Sequence, residues 1–262
     1  MRVGVFGAGG RMGSTVCRAV ADDPELELVA AVDPHHAGID LRQILGRDCA
    51  GVQIAGDADA LTRAGAEVAV DFTEAEAARR NLRWCAAHRV HAVVGTTGLG
   101  DDDLGQLRAL FTGGVNCVVA PNFAIGAVLM MRFAELAAPW FETAEVIELH
   151  HDQKIDAPSG TAVLTAQRMA AASTEWAPDR TTTEVVGGAR GGQGPGGIHV
   201  HSVRLRGLVA HQEVLLGTTG QSLTIRHDSY DRTSFMPGVL LAVKEVAGRP
   251  GLTVGLDALL GL

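Results

Sequence analysis

Val3-Gly4-Val5-Phe6-Gly7-Ala8-Gly9-Gly10-Arg11-Met12-Gly13 decides the fold of this chain. Val3–Phe6 is a short apolar run, the pattern of a strand buried on both faces. A glycine-rich turn follows, and the spacing from about Met12 to Ala21 predicts a helix. Strand, glycine turn and helix together open a dinucleotide-binding unit. Gly7 lets the chain turn sharply out of the strand. Gly10 lets backbone approach a pyrophosphate, and Gly13 lets the helix lie close to the sheet. The free N–H groups and the dipole at the helix start then hold phosphate. Gly7, Gly10 and Gly13 depart from the commoner Gly-x-Gly-x-x-Gly spacing, although Gly9 is also present, so the phrase is weak alone.

Asp33 strengthens it. This residue ends the next strand, Leu28–Val32, about twenty residues past the last glycine, where an acid accepts hydrogen bonds from ribose hydroxyls. A carboxylate there repels a 2′-phosphate, and Pro34 follows where a basic residue would have offset it. Arg11, His35 and His36 remain as sources of positive charge. NADH is therefore the expected cofactor, with NADPH tolerated.

Working outward, Val68–Phe72, Ala92–Val94 and Cys117–Ala120 read as further buried strands. They alternate with helices at Ala75–His88 and Asp101–Phe111, which implies a parallel sheet covered on both faces. Ligands of such sheets bind beyond the carboxyl ends of the strands. The polar phrases stand there: Phe72-Thr73, Gly95-Thr96-Thr97-Gly98 and Ala120-Pro121-Asn122-Phe123. The expected cofactor contacts are accordingly Gly7, Ala8, Gly9, Gly10, Arg11, Met12 and Gly13 in the first turn, and Asp33 after the second strand. Phe72, Gly95, Thr96, Thr97, Ala120, Pro121, Asn122 and Phe123 complete the set.

The texture then changes. After a helix at Ile125–Ala138, strands with more alternation are expected at Ala144–Leu149, Val200–Leu205, His211–Leu216 and Ser222–Arg226. A helix near Thr161–Ala172 and a glycine-rich loop, Gly187–Gly197, lie between them. This predicts an α+β domain with a mixed or antiparallel sheet. Ser234–Val246 is apolar with helical spacing.

Composition limits the function. The formal net charge is −8 and no Lys/Arg block occurs, which argues against a nucleic-acid surface. The cysteines, Cys17, Cys49, Cys85 and Cys117, form no Cys-x-x-Cys pair. Zinc and a disulfide framework are disfavoured, and buried thiols in a reducing compartment are expected. No signal peptide or membrane span is evident, so the reading is a cytoplasmic protein.

Chemistry concentrates in Glu148-Leu149-His150-His151-Asp152-Gln153-Lys154-Ile155-Asp156-Ala157-Pro158-Ser159-Gly160-Thr161-Ala162. The phrase leaves a strand, crosses a turn and enters a helix. Asp156 or Ser159 suits the cap, and Pro158 suits the first turn. The helix start, the Ser159 and Thr161 hydroxyls and Lys154 would cradle a carboxylate. His150 and His151 supply imidazoles, the residue type suited to act as a general acid beside a hydride acceptor. A metal held by His150, His151, His199 and His201 is the weaker alternative, since no partner stands at a familiar zinc spacing. A reductase of another substrate, and a nucleotide-binding redox sensor, also share the N-terminal phrases.

The chain resembles the 4-hydroxy-tetrahydrodipicolinate reductase (dihydrodipicolinate reductase) family. The resemblance lies in GAGGRMG at Gly7–Gly13, VDFT at Val70–Thr73, GTTG at Gly95–Gly98, APNF at Ala120–Phe123, ELHHDQKIDAPSGTA at Glu148–Ala162 and the run Arg206–Phe235. It spans nearly the whole chain. It implies an α/β fold: an N-terminal Rossmann dinucleotide-binding domain, residues 1–122 with 231–262, plus an inserted α+β substrate and tetramerisation domain with a mixed sheet, residues 123–230. It also implies a homotetramer, a small cyclic dicarboxylate substrate, and no nucleic-acid or membrane partner. His150 would be the general acid, with Lys154 as a second proton donor or orienting cation. His151, Lys154, Ser159, Gly160 and Thr161 would bind the substrate carboxylates.

Overall fold

The computed structural model describes residues 1–46 and 51–262, so Cys49 lies outside the described residues. The chain divides into two compact units, Met1–Phe123 with Phe235–Leu262, and Ala124–Ser234. In chain order the first unit begins with β1 (Arg2–Phe6), α1 (Arg11–Asp22), β2 (Glu27–Val32), α2 (Leu41–Leu45), β3 (Ile54–Ala55), α3 (Asp59–Arg63) and β4 (Val68–Asp71). It continues with α4 (Ala75–Ala87), β5 (His91–Val94), α5 (Asp101–Leu110) and β6 (Cys117–Val119). The second unit holds α6 (Ile125–Ala137), β7 (Thr143–His150), α7 (Gly160–Ala172), β8 (Gly192–Gln193), β9 (His199–Arg204), β10 (Ala210–Thr218) and β11 (Gln221–Ser229). The chain returns to the first unit with α8 (Met236–Glu245), β12 (Leu252–Val254) and α9 (Asp257–Leu260).

The first unit is a seven-stranded sheet in the order β12-β6-β5-β4-β1-β2-β3. Every pairing in it is parallel. All of β4, and β1 after Arg2, is buried, as strands covered on both faces must be. This is why they read as apolar runs without alternation. Helix α1 buries Gly13, Val16, Cys17 and Val20, one stripe at helical spacing. The strand order reverses between β1 and β4, the switch point at which parallel sheets open a ligand crevice. Cys17, Cys85 and Cys117 are buried. Burial pushes the Cys85 and Cys117 thiols well up, so they are chemically inert at neutral pH.

Five short elements of this unit carry no sequence signal: α2, β3, α3, β12 and α9. Periodicity needs several turns or alternations to register, and these elements are too short to supply them. Tertiary contacts define them instead. Asn116, which is buried, precedes β6 and donates from its Nδ2 to the carbonyls of Val246 (3.0 Å) and Ala247 (2.9 Å). Its Oδ1 accepts from the Gly251 N–H at 3.1 Å. One amide thus ties the C-terminal segment, and edge strand β12, to the parent sheet.

The second unit is a five-stranded mixed sheet, β11-β10-β7-β9-β8. β7 runs parallel to β9 and antiparallel to β10; the other pairs are antiparallel. Helices α6 and α7 pack on one face, where Val146, Glu148, Val214 and Leu216 are buried. The glycine-rich loop is not wholly irregular. It contains β8, and Arg190 within it donates to Glu145 on β7 at 2.6 Å and to Asp179 at 3.1 Å.

Replacing Asn116 by Ala strips two buried carbonyls and one N–H of their partner. The expected cost is about 2–4 kcal/mol, read as a lower midpoint in urea unfolding. A change below about 0.5 kcal/mol would mean that the C-terminal segment is held by packing alone.

Candidate active site

At the β1–α1 turn, Gly7 takes the left-handed conformation, with φ +66°. A side chain on Gly13 would place its Cβ 2.0 Å from the Gly7 carbonyl oxygen. Helix and turn therefore touch backbone to backbone, which only glycine permits. The extended Gly10 starts the helix without a side-chain cap. The first-turn N–H groups of such a helix lack carbonyl partners and are available to phosphate oxygens.

Asp33, nearly buried at the end of β2, accepts from the Gly9 N–H and the His35 N–H, each at 3.0 Å. A carboxylate has about four lone-pair directions, so acceptor capacity remains for ribose hydroxyls. The His36 ring packs against Gly9, where an added Cβ would fall 2.2 Å from Nδ1. That nitrogen lies 3.2 Å from Asp33, too far off line for a hydrogen bond.

A second acid organises the neighbouring loops. Asp71, at the end of β4, is 1% exposed. It accepts from the Thr73 N–H (2.7 Å) and hydroxyl (2.6 Å), from Asn81 (2.8 Å) and from the Thr96 hydroxyl (3.3 Å). Thr96, an expected cofactor contact, donates its hydroxyl to Asp71, while Thr97 is exposed. Phe72 lies over Gly95, where an added Cβ would meet the ring at 2.0 Å, and its ring is 5.5 Å from that of Phe123. Ala8, Gly9, Arg11, Met12, Ala120, Pro121 and Asn122 lie in or beside the same strand-end turns. The cradle fits a dinucleotide: close backbone approach, a helix start for phosphate and an acid for ribose.

In the second unit the chemistry gathers at the carboxyl end of β7. Glu148 and His150 are two residues apart on a strand and so share a face. Glu148 is completely buried. Its carboxylate accepts from His150 Nδ1 at 2.5 Å. It also accepts from both terminal nitrogens of Arg204, at 2.9 and 2.8 Å. Arg204 stands opposite His150 in the β7–β9 register and donates as well to the Asp156 carbonyl at 2.6 Å. A fourth donor, the Ser159 N–H, reaches Glu148 at 3.2 Å. Ser159 in turn caps α7, its hydroxyl accepting from the Ala162 N–H at 3.2 Å.

Burial raises the Glu148 carboxyl, but hydrogen bonds from Arg204, Ser202 and His150 outweigh it and hold the group below the usual carboxylate range. His150 is held below the ordinary imidazole value, chiefly by burial. Glu148 opposes that shift, and Lys154 and Arg204 reinforce it.

Lys154 Nζ reaches both oxygens of Asp156 at 2.7 Å, so its charge is shared with a neighbouring acid. Asp156 was a candidate cap; it holds Lys154 instead, and Ser159 does the capping. Pro158, expected in the first turn, precedes the cap. His151 and Gly160 are exposed and Thr161 is half-buried. Asp152 points to Arg206 at 2.9 Å. His199 and His201 share one sheet face and face carboxylates, Asp179 at 3.5 Å and Glu145 at 2.6 Å. Among the described residues no three His, Cys, Asp or Glu side chains are grouped to hold a metal.

Sequence reading passed over Glu148, Arg204 and Asp71 as functional groups. For Glu148 a signal existed in its two-residue spacing from His150. Arg204 offers none, since its partner lies 56 residues away.

A Rossmann-type nucleotide-binding unit combined with a second unit bearing a histidine–carboxylate site defines the class as a two-unit dinucleotide-dependent fold. Residues 1–123 match the family model for the N-terminus of dihydrodipicolinate reductase, and residues 126–260 match that for its C-terminus. The chain is 51% identical to the 4-hydroxy-tetrahydrodipicolinate reductases of Cutibacterium acnes and Nocardia farcinica, with 100% of this chain and 99% of each relative covered. A dipicolinate-bound dihydrodipicolinate reductase from a Paenisporosarcina species superposes with a TM-score of 0.85 at 41% identity, covering 98% of both chains. An amine dehydrogenase from Mycobacterium smegmatis shares the fold alone, at 14% identity and a TM-score of 0.62. The chain belongs to the dihydrodipicolinate reductase family.

Gly13→Ala tests the cradle. With backbone atoms in the way, NADH affinity should fall at least about tenfold, measured by fluorescence titration on folded protein. Unchanged affinity would place the phosphates elsewhere.

Proposed function

We propose that the protein reduces 4-hydroxy-tetrahydrodipicolinate to tetrahydrodipicolinate, in lysine and diaminopimelate biosynthesis, with a reduced nicotinamide dinucleotide. The observation that carries this is His150, held through Nδ1 by a buried carboxylate and set beside Lys154 and the capped start of α7. A bound reduced nicotinamide dinucleotide supplies the hydride. Gly7–Gly13 hold its pyrophosphate, Asp33 its ribose, and Phe72, Gly95, Thr96, Thr97 and Ala120–Phe123 frame its nicotinamide half. Thr96 does so through its backbone, because its hydroxyl is engaged with Asp71.

His150 supplies the proton that balances the hydride. Lys154, His151 and the α7 start, with Ser159, Gly160 and Thr161, hold the two substrate carboxylates and fix the ring. Such orientation is worth a large share of a rate enhancement. Lys154 exchanges part of its contact with Asp156 for the incoming carboxylate.

NADH is preferred over NADPH, because Asp33 is aligned by two backbone N–H groups and presents negative charge where a 2′-phosphate would sit. The protein acts in the cytoplasm as a homotetramer that associates through the sheet of residues 123–230. No helix among the described residues is long and apolar enough to cross a membrane.

The test is nucleotide oxidation with substrate generated in place by a dihydrodipicolinate synthase. Wild type should turn over. His150→Gln and Lys154→Ala should each lower kcat by roughly 10²–10⁴ while still binding NADH. No turnover with either nucleotide, despite tight binding, would move the reading to a reductase of another substrate or to a sensor. In the same assay kcat/KM should be higher with NADH than with NADPH. A large advantage for NADPH would overturn the role given to Asp33.

A further inference from the structure

Glu148 is the least exposed acid in the second unit, and the mechanism above asks nothing of it directly. Three separate segments converge on it. β7 carries it, β9 brings Arg204, and the turn into α7 brings the Ser159 N–H. The same carboxylate holds His150 at Nδ1. Arg204 approaches as a fork, its two terminal nitrogens meeting different carboxylate oxygens, the geometry that gives a guanidinium–carboxylate pair its directionality. Its Nε is buried without a hydrogen-bond partner among the described residues. The terminal nitrogens of the fork donate to Glu148 and to the carbonyls of Val203 and Asp156.

We propose that Glu148 and Arg204 are positioning residues for His150: the clamped carboxylate keeps a proton on Nδ1 and so makes Nε2 the atom that carries and releases the catalytic proton. This rests on His150 as the general acid. In the step itself the Nε2–H bond breaks and its electron pair stays on the ring. The proton passes to the substrate atom that has become electron-rich on receiving the hydride. His150 is left neutral with its Nδ1–H intact, and Glu148 remains ionised throughout.

Arg204 is necessary to that outcome. A buried carboxylate beside an imidazolium, with no other cation, gains affinity for the Nδ1 proton and competes for it. Two guanidinium hydrogen bonds remove that competition. The charged groups around His150 are then Glu148 on β7, Arg204 on β9, and Lys154 paired with Asp156 in the connecting turn. Burial, Lys154 and Arg204 favour the neutral ring, and Glu148 alone among them favours the imidazolium. Loss of Glu148 thus destabilises the acid form. Activity that requires imidazolium falls as pH rises through the His150 value, so this limb must move to lower pH.

Two measurements test the proposal. The first is nitrogen NMR of His150 in the intact wild-type protein, assigned by comparison with His150→Gln. It requires neither substrate nor turnover, so it stands apart from the assignment of the reaction. Above the titration of His150, the neutral ring should carry its proton on Nδ1. A proton on Nε2 would overturn the proposal.

The second is the pH profile of Glu148→Gln with saturating substrate and NADH. The expected result is a kcat lower by roughly 10², a substrate KM within about threefold of wild type, and an alkaline limb displaced downward by about one pH unit. Arg204→Lys should retain the wild-type limb, whereas Arg204→Met should not. Should Glu148→Gln fail to fold, the Arg204 pair decides. Losses in kcat and melting temperature without any movement of the limb would reduce Glu148 to a structural brace and overturn the proposal.

Discussion

A carboxylate withdrawn completely from water dictates the arrangement of the second unit. Removing either member of a buried ion pair leaves the other uncompensated, typically at about 3–5 kcal/mol. Glu148 escapes that penalty only if Arg204, His150 and the Ser159 N–H arrive together. That requirement fixes the register of β7 against β9, because Arg204 must stand opposite His150. It also fixes where the chain enters α7, because the capping residue donates its own N–H to the same group. The site is consequently rigid for reasons of stability before any ligand is considered. Few other arrangements of these side chains would leave the pair satisfied.

The first unit solves a related problem with different means. Its strand-end turns are built largely of backbone in close approach, so its residues are chosen for what they omit. Gly13 and Gly95 exist to let a carbonyl and a phenyl ring come within distances no Cβ permits. The carboxylates Asp33 and Asp71 supply order. Asp33 aligns the first turn through the Gly9 N–H, and Asp71 gathers the loops after β4 and β5 through Thr73 and Thr96. The two acids differ in what remains to them. Among the described residues Asp33 accepts two backbone hydrogen bonds, which leaves lone pairs for a ligand. Asp71 is almost saturated by four protein donors and is an architectural group.

Which parts were legible in the sequence follows from how local their causes are. The strand–glycine–helix opening, the alternation of buried strands and helices, and the change of texture after Ile125 all rest on contacts within a few residues or on one repeating period. They read correctly, and so did the parallel sheet and the separate second sheet, without β3 and β12 of the first and β8 of the second. What escaped was either too short or too distant. β3 and β12 have two and three residues and exist because a neighbouring strand pairs with them. Asn116 holds the C-terminal segment across more than a hundred residues of chain. In the site, the phrase around His150 and Lys154 was legible by residue type and order. The destination of each side chain was not. Thr96 turned out to serve Asp71, Lys154 to share Asp156, and Glu148 to be the centre of the network.

This asymmetry has a chemical reason. A general acid needs one atom to hold one proton in one direction, and a surface histidine interchanges its two tautomers. The distinction between Nδ1 and Nε2 arises only when a fixed acceptor takes one of them. A fixed acceptor must be buried, and a buried acceptor must be charge-balanced. Arg204 meets that need from another strand, at a position no local pattern announces. The proposed proton donor and its two-residue spacing from Glu148 are therefore visible in sequence, while Arg204 becomes visible only once β7 and β9 are paired.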